Sequence, residues 1–235
     1  MTIAFHRSGT GAPLLLLHGL GLDRHVWDGL SGLSDRFERL TCDLPALNRI
    51  EDMAESVAAG LRREGIARAH IVGHDLGGAI AQHLAVHDPE LVDRIVLCSS
   101  TPTYNDDDQA LWRQRAALAR QAGPGAVGRM LEAEWFTAAF LARNPQALFA
   151  HCSAEDFATM CEALAKADLI DLAGEIYART LVLVGEHDTL AYREAADWLA
   201  QSIAGAKLAF VPNAAHAVPL EQPGWMAQAL GVFLG

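Results

Sequence analysis

Residues 70–87 read HIVGHDLGGAIAQHLAVH, and the fold follows from how that stretch changes character. An apolar run ends at Gly73, one acid stands between glycines in Gly73-His74-Asp75-Leu76-Gly77, and helical spacing begins at once with Ile80 and Leu84 on one face. This is the pattern of a strand, a sharp turn and a helix. Glycines on either side of the turn let the backbone double back where a Cβ would clash, and they leave the apex side chain exposed above the sheet. The apex residue is Asp75.

Outward from this stretch, strand-like runs alternate with helical ones. Leu14–Leu17 is continuously apolar, as suits a strand covered on both faces, and it ends in His18-Gly19-Leu20-Gly21. Arg39 to Cys42 reads as a short strand that leads into Asp43-Leu44-Pro45. Asn48 is the expected N-cap of a helix, with Glu51 three residues on and Ile50, Met53, Ala54, Val57 and Leu61 at helical spacing. Further strands are expected at Arg94–Cys98, at Thr180–Val184 before Gly185-Glu186-His187-Asp188, and at Lys207–Val211 before Asn213-Ala214-Ala215-His216. Pro223 opens a closing helix whose Met226, Ala229, Leu230 and Phe233 share a face. From Tyr104 to about Leu172 the strand signal vanishes, and helical segments follow one another with breaks at Gly123-Pro124-Gly125 and Asn144-Pro145.

The turn at Asp75 resembles the nucleophile elbow of the α/β-hydrolase family, G-x-S-x-G, with aspartate where most members carry serine. The resemblance implies an α/β-hydrolase fold: a mostly parallel central sheet with helices on both faces, and a helical cap inserted after the strand that follows the elbow. Residues 1–103 and 173–235 would then form the core domain and 104–172 the cap subdomain. It also implies a triad in the family's chain order, Asp75 as nucleophile, Asp188 as acid and His216 as base. The backbone N–H groups of Leu20, in the HG turn, and Leu76, directly after the apex, would form the oxyanion hole. Trp135-Phe136-Thr137 and the Cys152–Leu169 stretch are similar to the cap of 3-oxoadipate enol-lactonases. Trp112, Trp135 and Phe140 are candidates to line the pocket, and Trp27 or Trp135 to donate an indole N–H to a halide.

Aspartate at the apex changes the chemistry. A carboxylate is ionised at neutral pH without help from histidine. Its attack on an acyl carbon would give a high-energy anhydride, whereas displacement at a saturated carbon gives a stable alkyl ester. A halide-bearing carbon or an epoxide is therefore the favoured target, with His216, oriented by Asp188, activating the water that cleaves the ester. This resembles dehalogenases and epoxide hydrolases. The tryptophan that many haloalkane dehalogenases carry after the nucleophile is absent here, however, as is the H-G-x-P turn of epoxide hydrolases. The alternative is hydrolysis of a carboxylic ester or enol-lactone, Asp75 being a natural divergence or an engineered replacement of serine. A lyase or cyclase using the same pocket is a further alternative.

Composition limits the partners. With 235 residues, 51% of them apolar, the chain can bury one sizeable core. Its formal charge of -11 repels nucleic acid and anionic membrane surfaces, so neither partner is expected. No secretory or membrane-spanning segment is legible, which implies a cytoplasmic protein, monomeric or homodimeric, acting on a small molecule. Cys42, Cys98, Cys152 and Cys161 lack metal-ligand or C-x-x-C spacing, and neither a metal nor a cofactor is expected. His18, His70, His83, His87 and His151 read as structural. His74 and His187, beside the two acids, also read as structural, with an influence on the ionisation of those acids as the alternative. Asp106-Asp107-Asp108 reads as charge favoured at a helix start.

Overall fold

The computed structural model describes residues 3–144, 149 and 152–235. His151 and Pro145 lie outside them. Seven strands form one sheet: β1 (His6–Ser8), β2 (Ala12–Leu17), β3 (Phe37–Thr41), β4 (Ala69–His74), β5 (Val92–Cys98), β6 (Arg179–Gly185) and β7 (Lys207–Val211). Their order is β1-β3-β2-β4-β5-β6-β7, with β1 antiparallel to β3 and every other pair parallel. The helices α1 (Ile50–Arg63), α2 (Leu76–His87), α3 (Asp106–Ala122), α4 (Pro124–Trp135), α5 (Ala138–Leu141), α6 (Ala154–Leu164), α7 (Leu190–Ser202), α8 (Val218–Glu221) and α9 (Pro223–Leu234) accompany it.

The chain runs from β2 outward to β3, then returns across β2 to place β4 on its other side. Strand order reverses between β2 and β4, and in an open parallel sheet the crevice at the carboxyl ends of such a pair is where ligands bind. The turns that leave this crevice are His18-Gly19-Leu20 and Asp75.

Strand alternation sorts the core into two layers. Leu15 and Leu17 of β2 face the layer that holds α1, α2 and the helices between β5 and β6, whereas Leu14 and Leu16 face the one that holds the 3-10 segment Arg24–Leu33 and α9. The helix α2 departs from the expected one-sided pattern: every residue from Leu76 to Ala85 is buried, because it is packed against α1, β2, β4, β5 and the segment Ile170–Glu175. Even Gln82 is buried, bonded to Gly78 and Ser100.

Asn48 is not the cap of α1. The N-cap is Arg49, in extended conformation and without a side-chain bond, and its guanidinium pairs with Glu51 at 3.2 Å. Asn48 lies one residue too far out to serve the first turn, and its carbonyl accepts from Lys166 Nζ. The three aspartates fall in the first turn of α3 behind an Asn105 cap, as the sequence leads one to expect. Gly123 and Pro124 separate α3 from α4. The short elements β1 and α8 carry no periodicity and are legible only in the structure. No helix among the described residues is long and apolar enough to cross a membrane.

Candidate active site

Asp75 sits at the tip of β4 with φ 49° and ψ −114°, a strained backbone for a residue with a side chain and the geometry of an elbow. The flanking glycines allow it by close approach: a Cβ on Gly73 would come within 2.2 Å of the Gly77 carbonyl oxygen, and one on Gly77 within 2.2 Å of that of Leu17. The apex carboxylate stands above the sheet, but it is not exposed as the bare turn suggests. Asp75 is 2% exposed, with Tyr192 in contact with it and Trp135 packed on the neighbouring histidines.

Three groups converge on Asp75. The Leu20 N–H donates to Oδ2 at 2.9 Å, the Tyr192 hydroxyl makes a long 3.4 Å bond to Oδ1, and His216 Nε2 lies 3.9 Å from Oδ1. The last separation exceeds a hydrogen bond, and Nε2 has no other partner among the described residues. On its far side His216 Nδ1 faces both oxygens of Asp188, at 3.3 and 3.2 Å, so this nitrogen carries the proton and Nε2 presents its lone pair toward the elbow when the ring is neutral. Both His216 and Asp188 are buried.

The imidazole therefore lies between two carboxylates. Burial alone would lower its pKa, but the charge and hydrogen bond of Asp188 and the charge of Asp75 outweigh burial and hold it above the ordinary 6.5. A reaction that needs neutral His216 as base should rise with pH along a limb lying above pH 6.5, and D75S, which removes one of the raising charges, should move that limb to lower pH. Initial rates against pH for both proteins measure this; an unmoved limb would mean that Asp75 does not act on the ring.

Two further histidines are neutral supports. His18 donates from Nδ1 to the Gly19 carbonyl (2.8 Å) and accepts at Nε2 from the Leu44 N–H (2.9 Å), and burial lowers its pKa. His74 donates Nε2–H to the His216 carbonyl at 2.9 Å, its ring centroid 5.1 Å from that of His216. Burial, then the His216 charge, pushes its pKa down to about 4, so His74 holds the His216 backbone without adding a charge. His187 is exposed on the surface.

The His216 loop is braced from outside by Glu221. Its Oε1 accepts from the Thr137 N–H (2.8 Å) and hydroxyl (2.7 Å), its Oε2 from the Ala215 N–H (2.6 Å), while the Ala217 N–H donates to the Trp135 carbonyl (2.9 Å). Glu221→Ala leaves three donors at a half-buried junction without their acceptor. It should cost about 2–4 kcal/mol of unfolding free energy in a denaturant titration. A midpoint unchanged from wild type would show that the brace carries no weight.

Of the aromatic candidates, the structure brings two to the site. Trp135 rests against His216 with ring centroids 4.7 Å apart, and Trp112 lines a cavity of about 340 Å3 beside Tyr104 and Tyr192. Trp27 is misplaced in the sequence reading: it is fully buried in the opposite layer, among Leu14, Leu16 and Leu30, because the 3-10 segment packs on the other face of the sheet. Phe140 is likewise elsewhere, stacked on Phe136 at 5.0 Å on the short α5 that Glu221 anchors.

Sequence reasoning missed the two tyrosines as site residues. Tyr104 follows β5 and Tyr192 opens α7, 88 residues apart, yet their hydroxyls lie 3.0 Å from one another and link the cavity to Asp75. Burial raises both pKa values well above 10.0, so both are phenols, not phenolates. The nearest signal in the sequence was the place of Tyr192, four residues after Asp188. The cysteines are free thiols, three of them buried, and burial pushes Cys42 up to about 12.

A mostly parallel sheet with an elbow at its reversal point, a histidine and an acid on the loops after the last two strands, and a backbone donor from the HG turn defines an α/β hydrolase. The comparison with known proteins agrees: residues 14–229 match the alpha/beta hydrolase family, and the chain belongs to it. It is 31% identical to 3-oxoadipate enol-lactonase 2 of Acinetobacter baylyi over 74% of this chain and 67% of that one. It is 30% identical to the pimeloyl-[acyl-carrier protein] methyl ester esterase of Chromobacterium violaceum over 100% and 98% of the two chains. The crystal structure of the enol-lactonase from Burkholderia xenovorans superposes with a TM-score of 0.93, at 27% identity, covering 99% of this chain and 96% of that one. By name these relatives are enol-lactonases and a methyl ester esterase, which fits the ester or lactone alternative better than the dehalogenase or epoxide hydrolase chemistry that aspartate at the apex favours.

Proposed function

We propose that this hydrolase cleaves small carboxylic esters or lactones, with His216 as the base and residues 104–172 as the cap that closes over the strand ends. The observation that carries the reading is the Asp188–His216 pair, oriented at Nδ1 and directed through Nε2 at an elbow that also holds the Leu20 N–H. In this reading His216 takes a proton from water, the water oxygen attacks the acyl carbon, and the proton passes to the departing alkoxide. The developing oxyanion is held by the N–H groups of Leu20 and Leu76. Asp75 positions the water and keeps His216 basic. Because Asp75 Oδ2 already occupies the Leu20 N–H, the acyl oxygen must compete with it, so the reaction is expected to be slow.

A second reading is favoured by the same bond. An Asp75 carboxylate held by the Leu20 N–H on one oxygen and the Tyr192 phenol on the other is placed to open an epoxide or displace a halide, with His216 then directing water at the resulting ester. The ester-cleaving relatives weigh against it. A single turnover in heavy-oxygen water separates the two. Label in the product acid alone supports ester or lactone hydrolysis, and label in Asp75 supports the covalent route.

A further inference from the structure

The cavity beside the tyrosine pair contains a cation whose hydrogen-bonding capacity is largely unused. Arg115, on α3, has a side chain only 11% exposed, with its guanidinium carbon 4.5 Å from the centre of the Trp112 ring. Its Nη2 lies 3.6 Å from a Glu134 carboxylate oxygen, longer than a hydrogen bond, and its Nε is buried with no hydrogen-bond partner among the described residues. A guanidinium presents five donors in a planar fork, and burying such donors unfilled costs free energy that a planar anion recovers by pairing with two at once.

We propose that Arg115 is the recognition site for a carboxylate on the substrate, so that the esters or lactones cleaved here also carry a free acid group. For the reacting end this rests on the ester or lactone reading above; for the anion site it rests on the cavity alone. Trp112 packs against the guanidinium, and both residues line the cavity. The Glu134 side chain is half exposed, at 51%, and returns to water when a substrate carboxylate takes its place. Tyr104 and Tyr192 share the cavity wall with this anchor, and the Tyr192 hydroxyl contacts Asp75 behind that wall. Asp108 and Glu194, also on the cavity wall, act as the filter: they repel an anion bound anywhere except against Arg115, and they make an ammonium compound the natural rival ligand.

The test is equilibrium binding without turnover. Hexanoate, hexan-1-ol and hexylammonium are titrated by calorimetry into the wild type, R115Q, R115K and Glu134→Gln. Hexanoate should bind about tenfold or more tighter than hexanol to the wild type. R115Q should erase that preference while still binding hexanol, which shows that the cavity has survived, and R115K should retain part of it. Should R115Q fail to fold, Glu134→Gln decides: removing the rival carboxylate should tighten hexanoate several-fold and leave hexanol unchanged. A hexanoate preference that is absent, that survives R115Q, or that yields to hexylammonium overturns the proposal, as does unchanged hexanoate binding by Glu134→Gln. Absence of p-nitrophenyl butyrate hydrolysis alongside hexanoate held through Arg115 would overturn the proposed reaction and support the anion site.

Discussion

D75S is expected to raise hydrolysis of p-nitrophenyl butyrate by about a hundredfold or more over the wild type. The substitution removes the carboxylate oxygen that accepts from the Leu20 N–H at 2.9 Å and so returns this donor to the acyl oxygen. One such donor is worth roughly 10²–10³ in rate where it has been removed from other enzymes. It also places a hydroxyl within reach of His216 Nε2, which now has a proton to take, so the attack passes through a covalent acyl intermediate in place of a positioned water. The strained φ of 49° needs no readjustment, since Gly73 and Gly77 still provide the close approach. The variant should also be labelled stoichiometrically by an organophosphate, and the wild type should not be. Rates equal to wild type together with absent labelling would show that the pocket is not built for acyl transfer.

His216→Gln should lower the ester hydrolysis of the wild type by about 10²–10⁴, the usual contribution of a positioned base. Glutamine approximates the shape of the ring and keeps an amide near Asp188, so the loss reports proton transfer more than collapse; a thermal melt close to wild type confirms it. Mass spectrometry of the same variant gives a second result. Under the water mechanism the protein keeps its unmodified mass after exposure to ester substrates, epoxides or alkyl halides. An added mass on Asp75 with an epoxide or a halide would instead establish the covalent route, because the step that normally clears the ester has been disabled. A variant that keeps wild-type rates and gains no mass would remove His216 from the chemistry altogether.

Much of this site was legible before any coordinates. Elbow, acid and histidine each follow directly after a strand-like run, and parallel strands bring such loops to one edge of the sheet. Asp75, Asp188 and His216 could therefore be placed together from chain order alone, and the distances of 3.2–3.9 Å along the row bear out their proximity. Leu20 followed from the HG turn. Aspartate at the apex points toward alkyl-enzyme chemistry, while the chain as a whole belongs to the α/β hydrolases and is similar to enol-lactonases.

Trp27, Phe140, Tyr104, Tyr192 and Arg115 show where local pattern stops being informative. Trp27 and Phe140 are pocket candidates by residue type alone, yet one lies in the layer beneath the sheet and the other stacks on Phe136. Tyr104, Tyr192 and Arg115 belong to elements separated by as many as 88 residues, and no spacing relates their side chains.

What the sequence by itself determined is the α/β hydrolase scaffold and the row of acid, imidazole and elbow, since periodicity and glycine placement act within a few residues and a parallel sheet converts order along the chain into position along an edge. Tertiary structure alone decided that Tyr192 contacts the carboxylate while Trp135 packs on His216, that two phenols connect the carboxylate to a cavity, and that a guanidinium lines that cavity. Those features arise where α3, α4 and α7 pack over the strand ends, and the packing of distant helices depends on the fit of whole surfaces that no local spacing encodes.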